Sequence, residues 1–273
     1  MFQRTRPTTA IGGGAQILEL IFHATVREIR KGHGNAIVGL LMSMLQSLIL
    51  VAVFYVMFAI LGMRGAAIRG DFVVFLLSGI FLFMTHVKSV GAVVGSEGPT
   101  SAMMQHAPMN TMIAISASAL GALYLQTLSV FTILFVYHVA FEPITIHNPA
   151  GAFGMFLLSW FSGVSVGMVF LALKPWFPGF VALASMLYQR VNMIASGKMF
   201  VANAMPGYLL TFFDWNPLFH TIDQARGFAF INYNPHFSSI SYPLYLSIAL
   251  IMIGLLGEFY TRKFASKSWF AAR

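Results

Sequence analysis

The chain has 273 residues, of which 58% are hydrophobic and 9% charged, whereas a soluble domain carries about 25% charged residues. This composition excludes an ordinary soluble fold and favours an integral membrane protein. The absence of cysteine excludes disulfides, thiolate nucleophiles and cysteine metal ligands. The formal charge of +8 comes from residues at the chain ends and in loops, without the Lys/Arg-rich tract that nucleic-acid binding favours.

The N-terminal part divides into a polar, basic tail at residues 1–13 and a predicted helix at 14–32. Helical spacing places apolar and charged residues on different faces, which is typical of a helix that lies along a membrane surface. The apolar face carries Leu18, Ile21, Phe22, Thr25 and Ile29, and the charged face carries Glu19, His23, Arg27 and Arg30. No uninterrupted apolar core precedes Arg27, so we do not expect a cleaved signal peptide.

Six stretches are predicted to span the membrane, because a spanning helix needs roughly 20 mostly apolar residues. They lie at residues 36–63, 72–94, 112–141, 150–173, 178–197 and 241–257. Lys88 interrupts the second stretch near its far end, where its long stem can reach the interface. The fifth stretch is the least regular, since Gln189, Arg190 and Asn192 lie inside it.

The connections between the spans predict the topology. Residues 95–111 form a polar connection with room for a short helix, and residues 199–239 are broken into pieces that fit re-entrant or surface helices. Residues 258–273 form a basic tail. Six spans put both termini on one side, and because that side carries most of the Lys and Arg residues, we expect it to be cytoplasmic. The predicted fold class is therefore an all-α membrane protein with six transmembrane helices.

The sequence contains no Gly-x4-Gly-Lys-Ser/Thr string, so any ATP must be hydrolysed by a partner. It also contains no His-Glu-x-x-His zinc motif. His220 and Asp223 are three residues apart and have side chains that bind metals, but an isolated pair is a weak signal. We therefore predict no metal site.

One enzyme-like string occurs, Gly163-Val-Ser-Val-Gly167, which matches the Gly-x-Ser-x-Gly pattern of serine hydrolases. No strand is predicted before Ser165, as that motif requires. Gly163 and Gly167 also form a Gly-x3-Gly pair, which lets membrane helices approach closely. Helix packing is therefore the preferred interpretation, and an intramembrane serine hydrolase that uses Ser165 is the alternative from a different functional class.

Arg190 supports two hypotheses, because an ionisable group inside a span is costly unless it meets a cavity, a partner or water. It is either a cationic contact on a translocation path or a snorkelling or salt-bridged residue near an interface. The sequence leaves both open.

Four strings resemble those of a known family. They are Arg27-Glu-Ile-Arg30 followed by Gly34 and Gly39-Leu-Leu, Phe75-Leu-Leu-Ser-Gly-Ile-Phe81, Met104-Gln-His-Ala-Pro-Met-Asn-Thr111, and Trp215-Asn-Pro-Leu-Phe-His220 with Asp223 and Arg226. Together with the order of the predicted elements, they make residues 15–265 resemble the type-2 ABC transporter permeases. The closest resemblance is to the permeases that export capsular polysaccharide.

The resemblance implies an assembly and a cargo. Two copies of the chain would pair with two ATP-binding cassette subunits, which bind ATP and Mg, while this chain holds no cofactor. The cargo would be a lipid-linked, anionic polysaccharide moved from cytoplasm to periplasm across the bacterial inner membrane. Membrane lipids and periplasmic or outer-membrane export proteins are further implied partners, and nucleic acid is not.

The resemblance also implies three groups of site residues. Contacts with the ATPase subunit are expected at Arg27, Glu28, Arg30, Glu97, Gln105, His106 and Pro108. The translocation path is expected at Lys88, Tyr188, Arg190 and Asn192. The family signature before the last span comprises Trp215, Asn216, Pro217, His220, Asp223 and Arg226.

Two departures concern the cargo more than the family. In capsule permeases, basic residues often flank the proline that corresponds to Pro108, in the cytoplasmic segment that contacts the ATPase. This chain has His106, Ala107, Met109 and Asn110 there. The family's first span often contains Glu-Pro, where this chain has Gln46-Ser47. A same-fold exporter of O-antigen, teichoic acid or a small drug or lipid therefore remains an alternative.

Overall fold

The computed structural model describes residues 10–31, 36–60, 62, 68, 70–98 and 110–264. Within these ranges the chain forms nine α-helices and no strand, so the predicted all-α class is confirmed for this part. The helices are α1 Ala10–Lys31, α2 Ala36–Ile60, α3 Phe72–Val94, α4 Thr111–Ala140, α5 Pro149–Leu173, α6 Pro178–Ala195, α7 Gly207–Leu210, α8 Pro217–Ala229 and α9 Ser241–Phe264. A 3-10 turn at Ala202–Ala204 lies between α6 and α7.

Five helices of the described part are long and apolar enough to cross a membrane: α2, α3, α4, α5 and α9. The chain is thus a multi-pass membrane protein. The fifth predicted span corresponds to α6, an 18-residue helix that is not among the five. Its polar residues Gln189, Arg190 and Asn192 lower its hydropathy. The count of six spans and the side of the termini therefore stay predictions.

Asx side chains fix where several helices begin. A side-chain oxygen at the cap accepts a hydrogen bond from a first-turn N–H group that has no intrahelical partner. The hydrogen bonds run from Val73 N to Asp71 Oδ1 (2.8 Å), from Met112 N to Asn110 Oδ1 (3.0 Å), from Gly151 N to Asn148 Oδ1 (2.9 Å) and from Leu218 N to Asn216 Oδ1 (3.0 Å). They fix the first turns of α3, α4, α5 and α8.

Helix α3 is the centre of the bundle. In its most apolar 18-residue stretch 78% of the residues are buried, against 22% in α9. It packs most closely on α5, where a Cβ atom on Gly163 would lie 2.5 Å from His86 O and one on Gly167 would lie 2.8 Å from Val93 Cβ. The predicted packing role of the Gly-x3-Gly pair is thereby confirmed. Helices α2, α4 and α9 lie at the periphery and expose apolar faces.

Helix α8 is buried inside the bundle and does not lie on its surface. Its 13 residues extend about 20 Å, which is too short to cross a hydrocarbon core of about 30 Å. It packs on α3 and α5, and its end pairs with the loop before α5 through His147 N to Ala229 O (3.1 Å) and Asn148 N to Phe228 O (2.8 Å). The buried α8 differs from a surface helix, which was one of the two predictions for residues 199–239, and the re-entrant alternative stays a prediction.

Helix α9 continues to Phe264, past the predicted end of the last span at residue 257. Its last turns stay helical because they pack on the end of α5. Thr261 Oγ1 accepts a hydrogen bond from Trp176 Nε1 (2.9 Å), and Thr261 is fully buried. The rings of Trp176 and Tyr260 stack with centroids 5.8 Å apart.

Candidate functional site

The predicted path residues of α6 point in different directions. Arg190 is exposed, and within the described part of the chain it makes no hydrogen bond or ion pair. Tyr188 and Asn192 instead face the bundle. Asn192 Nδ2 donates to Tyr188 O (3.0 Å), and Asn192 Oδ1 accepts from Asn216 Nδ2 (2.8 Å). Only Arg190 of these three is placed to meet something outside the chain.

Tyr188 holds α6 to the bundle through a buried histidine. The Tyr188 hydroxyl lies 2.8 Å from His86 Nε2, and His86 Nδ1 lies 2.9 Å from Ser162 Oγ and 3.3 Å from Ser159 O. Ser162 Oγ donates to Ser159 O (2.8 Å), so it accepts from a protonated Nδ1, and Tyr188 then donates to Nε2. Both ring nitrogens of His86 are therefore occupied, and these hydrogen bonds join α6 to α3 and α5.

His86 and Ser162 were missed by the sequence reasoning. A histidine within an apolar stretch of α3 has no local partner that would mark it, because Ser162 lies 76 residues away along the chain. One signal was present: Ser159, Ser162 and Ser165 repeat every three residues on α5, which places hydroxyls along one face.

Ser165 has no catalytic surroundings in the described part of the chain. Its hydroxyl donates to Ser162 O at 2.7 Å, it is fully buried, and no histidine contacts it. His86 cannot serve as a base for Ser162 either, since its Nδ1–H group already donates to that hydroxyl. A nucleophile needs an adjacent base within hydrogen-bond reach. The arrangement therefore opposes the serine hydrolase alternative.

The signature residues before the last span form a corner that joins α6, α8 and α9. Asn216 caps α8 and also donates to Ala195 O (2.9 Å), which attaches the end of α6. Pro217 starts α8 at a position where a missing N–H group costs nothing. Trp215 is exposed, and its backbone oxygen accepts from Tyr242 Oη (2.6 Å) on α9.

His220 and Asp223 are both fully occupied by protein partners. His220 Nε2 donates to Asp214 O (2.6 Å) while Nδ1 accepts from Ser239 N (3.0 Å). Burial lowers the pKa of His220, which favours this neutral form. Asp223 is buried and accepts from the hydroxyls of Tyr233 and Ser238, the latter at 2.6 Å. Their ring nitrogens and carboxylate oxygens are thus committed to closing the loop between α8 and α9.

No group of three His, Asp or Glu residues that suits a metal ion occurs among the described residues.

Arg226 is the largest fully buried side chain of the described part. Its guanidinium donates to Gly197 O (3.1 Å), Phe200 O (2.7 Å) and Lys198 O (2.6 Å), and it lies 4.1 Å from the centre of the Phe75 ring. Burial lowers its pKa to about 10, so the group stays charged at neutral pH. Arg226 therefore fixes the turn after α6 against α3.

Lys198 occupies that turn and inserts between aromatic rings. Its Nζ lies 3.9 Å from the centre of the Phe83 ring and 5.3 Å from that of Phe54, and it donates to Met193 O. Burial lowers the pKa of Lys198 to about 7. Two buried cations, Lys198 and Arg226, thus serve the architecture here, and Lys198 carried no signal that the sequence reasoning used.

The predicted ATPase contacts fall near the ends of α1 and α3. Arg27 and Arg30 are exposed on the last turns of α1, whereas Glu28 and Glu97 are half-buried. Lys174 Nζ donates to Val94 O (2.8 Å), which ties the start of the segment after α3 to the end of α5. Gln105, His106 and Pro108 lie outside the described residues.

Two polysialic acid transport proteins KpsM of Escherichia coli are each 25% identical to this chain, over 243 and 240 residues. Each alignment covers 84% of this chain and 88% of the relative. No protein-family model matches the chain. This similarity bears out the resemblance of the chain to the capsular polysaccharide export permeases.

Proposed function

We propose that this chain is the transmembrane permease subunit of an ATP-driven exporter that moves a lipid-linked, anionic polysaccharide out of the cytoplasm across the bacterial inner membrane. The observation that carries the proposal is the similarity to polysialic acid transport proteins over 84% of the chain. The surroundings of Ser165 add to it, because among the described residues this buried hydroxyl donates to Ser162 O and hydrogen-bonds to no base.

The permease needs partners that supply energy, since the sequence holds no phosphate-binding loop. Two copies of the chain pair with two ATP-binding cassette subunits, which bind ATP and Mg. The exposed basic residues Arg27 and Arg30 suit contact with these subunits, together with Glu97 and the following segment. In this arrangement α6 is the fifth of six spans and both termini are cytoplasmic.

The exposed face of α6 supports a path between two copies. Arg190 is surrounded on this helix by exposed apolar residues, among them Met186, Leu187 and Ile194. A cation at this depth is costly in contact with lipid tails alone. A second copy that faces α6 across a hydrated channel gives the guanidinium water and an anionic polymer to bind. A polymer also needs a continuous path, because a closed pocket would have to enclose all of it.

The test compares three variants in cells that carry the cognate ATPase. Arg190→Gln removes the charge, Arg190→Lys keeps it, and Arg262→Gln removes an exposed charge near the end of α9 as the matched control. We expect Arg190→Gln to accumulate polysaccharide inside the cell and to lose it from the surface, while the other two export normally. The amount of each variant in the membrane is measured alongside.

Two results would contradict the proposal. Unchanged export by Arg190→Gln at an unchanged protein level removes Arg190 from the path. Purification of the chain without any co-eluting ATPase, together with normal surface polysaccharide after its depletion, removes the export function itself. Loss of export in Ser165→Ala at normal stability would instead revive the enzyme alternative.

A further inference from the structure

A cavity of about 400 Å³ with both polar and apolar walls lies between α1, α2, α3 and α4, and Gln189 of α6 also lines it. Its polar residues include Glu28, Ser43, Gln46, Lys88 and Gln126. Ligand pockets commonly have volumes of about 300–1,000 Å³. The cavity therefore has room for a small polar group, and it is too small for a polysaccharide chain.

Lys88 supplies the positive charge of this cavity. Its ammonium group has three donors, and the structure gives it one acceptor, Gln46 Oε1. No carboxylate of the described residues lies within 4 Å of its Nζ, although Glu28 lines another part of the wall. Lys88 thus keeps donors for a ligand that carries a negative charge.

Gln126 supplies a buried acceptor. Its side chain is 2% exposed, and its Nε2 donates to Ser43 Oγ at 3.0 Å. Its Oε1 has no hydrogen-bond partner among the described residues. Leaving such an oxygen buried and unsatisfied costs about 1–3 kcal/mol. This atom has almost no accessible surface, so a ligand hydroxyl removes that cost only when the Gln126 amide turns toward the cavity that this residue lines.

The apolar groove beside the cavity favours a lipid as its occupant. At 1.5 Å per residue, Lys88 lies about 9 Å from the end of α3 and Gln46 about 15 Å from the start of α2. An apolar groove of about 590 Å³ runs between α1 and α4, lined by Phe22, Leu120 and other residues, and Ile29 lines both spaces. A cavity that holds the Lys88 ammonium beside an apolar groove matches a charged headgroup beside an acyl chain.

We propose that this cavity binds a resident membrane phospholipid whose headgroup combines one negative charge with free hydroxyls, as in phosphatidylglycerol. Lys88 neutralises the phosphodiester, Gln126 Oε1 accepts from a headgroup hydroxyl, and the groove along α1 and α4 holds an acyl chain. The site lies within one copy of the chain and is separate from the exposed face of α6. It requires no ATPase and does not depend on the proposed export function.

Three lipids separate the parts of this recognition. Phosphatidylglycerol carries the charge and the hydroxyls, phosphatidylmethanol carries the same charge without hydroxyls, and phosphatidylcholine carries neither net charge nor hydroxyls. Binding to the purified chain is measured by native mass spectrometry with each lipid in turn. We expect affinity to fall in that order, with at least a tenfold difference between phosphatidylglycerol and phosphatidylcholine.

Four variants test whether the difference in lipid affinity arises in the cavity. Lys88→Gln lowers phosphatidylglycerol binding toward the phosphatidylcholine level, and Gln126→Leu lowers it to the phosphatidylmethanol level. Gly91→Leu places a side chain in the cavity, and the Cβ atom that it adds meets no other atom within 4 Å. Lys263→Gln removes a charge outside the cavity and leaves binding unchanged.

Thermal unfolding of each variant without added lipid shows that the fold is intact. The proposal is overturned if the three lipids bind equally, or if folded Lys88→Gln and Gly91→Leu bind phosphatidylglycerol as the parent chain does. It is also overturned if Gly91→Leu abolishes export but leaves phosphatidylglycerol binding intact, because the cavity would then serve the exported substrate. Loss of export alone, with the order of lipid affinities retained, would refute the proposed function and leave this site standing.

Discussion

Gly163→Ala adds one methyl group where α5 crosses α3, and we expect it to destabilise the protein. The new Cβ atom would lie 2.5 Å from His86 O and 3.0 Å from Ser89 Cβ. The first distance is about 0.9 Å shorter than the 3.4 Å at which ordinary contact begins. Because His86 O is a backbone atom of the central helix, no side-chain rotation relieves the contact, and α5 must move away from α3.

Forcing a methyl group into a tightly packed contact costs about 1–3 kcal/mol. Alanine also favours a helix over glycine by about 0.8–1.0 kcal/mol, which would hide part of that cost. Gly154→Ala controls for this gain, since Gly154 lies on the same helix and its added Cβ meets nothing within 4 Å. The difference in the free energy of unfolding between the two variants, about 1–3 kcal/mol, therefore measures the contact itself.

The free energy of unfolding is measured by titrating the purified variants from mild detergent into SDS and following tryptophan fluorescence. Gly163→Ala should unfold at a lower SDS fraction than the parent chain, and Gly154→Ala at an equal or higher one. Equal midpoints for the two variants would refute the close approach of α3 and α5. A loss of export in Gly163→Ala without a loss of stability would instead favour a catalytic role for the stretch from Gly163 to Gly167.

Two further predictions concern the buried cations after α6. Arg226→Met leaves the carbonyls of Gly197, Lys198 and Phe200 without their donor. A buried acceptor left unsatisfied costs about 1–3 kcal/mol, so we expect the free energy of unfolding to fall by several kcal/mol in the same SDS titration, with little recovery in Arg226→Lys. The pKa of Lys198 is about 7 in the folded chain, whereas an unfolded lysine titrates near 10.4. Between these values the unfolded state binds more protons, so stability should rise with pH from 7 to 10. Lys198→Met should remove that part of the pH dependence, and an unchanged slope in this variant would refute it.

The sequence predicts features of this fold that depend on neighbours along the chain. Apolar runs locate the helices, and the Gly163 and Gly167 pair identifies a close helix contact because its spacing lies within one helix. The hydrogen bond of His86 with Tyr188 joins residues 102 positions apart, and that of Arg226 with Gly197 joins residues 29 apart. No local pattern encodes these pairings, so they appear only once the helices are packed.

The same limit explains why the polar signature before α9 was assigned a functional meaning that its contacts do not require. His220, Asp223 and Arg226 form hydrogen bonds within the chain, and these bonds hold the corner between α6, α8 and α9. Arg190 on α6 differs from Arg226 in this respect, since among the described residues it has no hydrogen-bond or ion-pair partner. Lys88 lies between these cases, with one partner and donors to spare. A charge inside a membrane protein must be compensated, so a cation that the chain itself leaves uncompensated indicates a ligand, a lipid or a second copy. By that criterion Arg190 and Lys88 are the cations for which we propose functional roles, whereas the contacts of the signature corner hold the architecture.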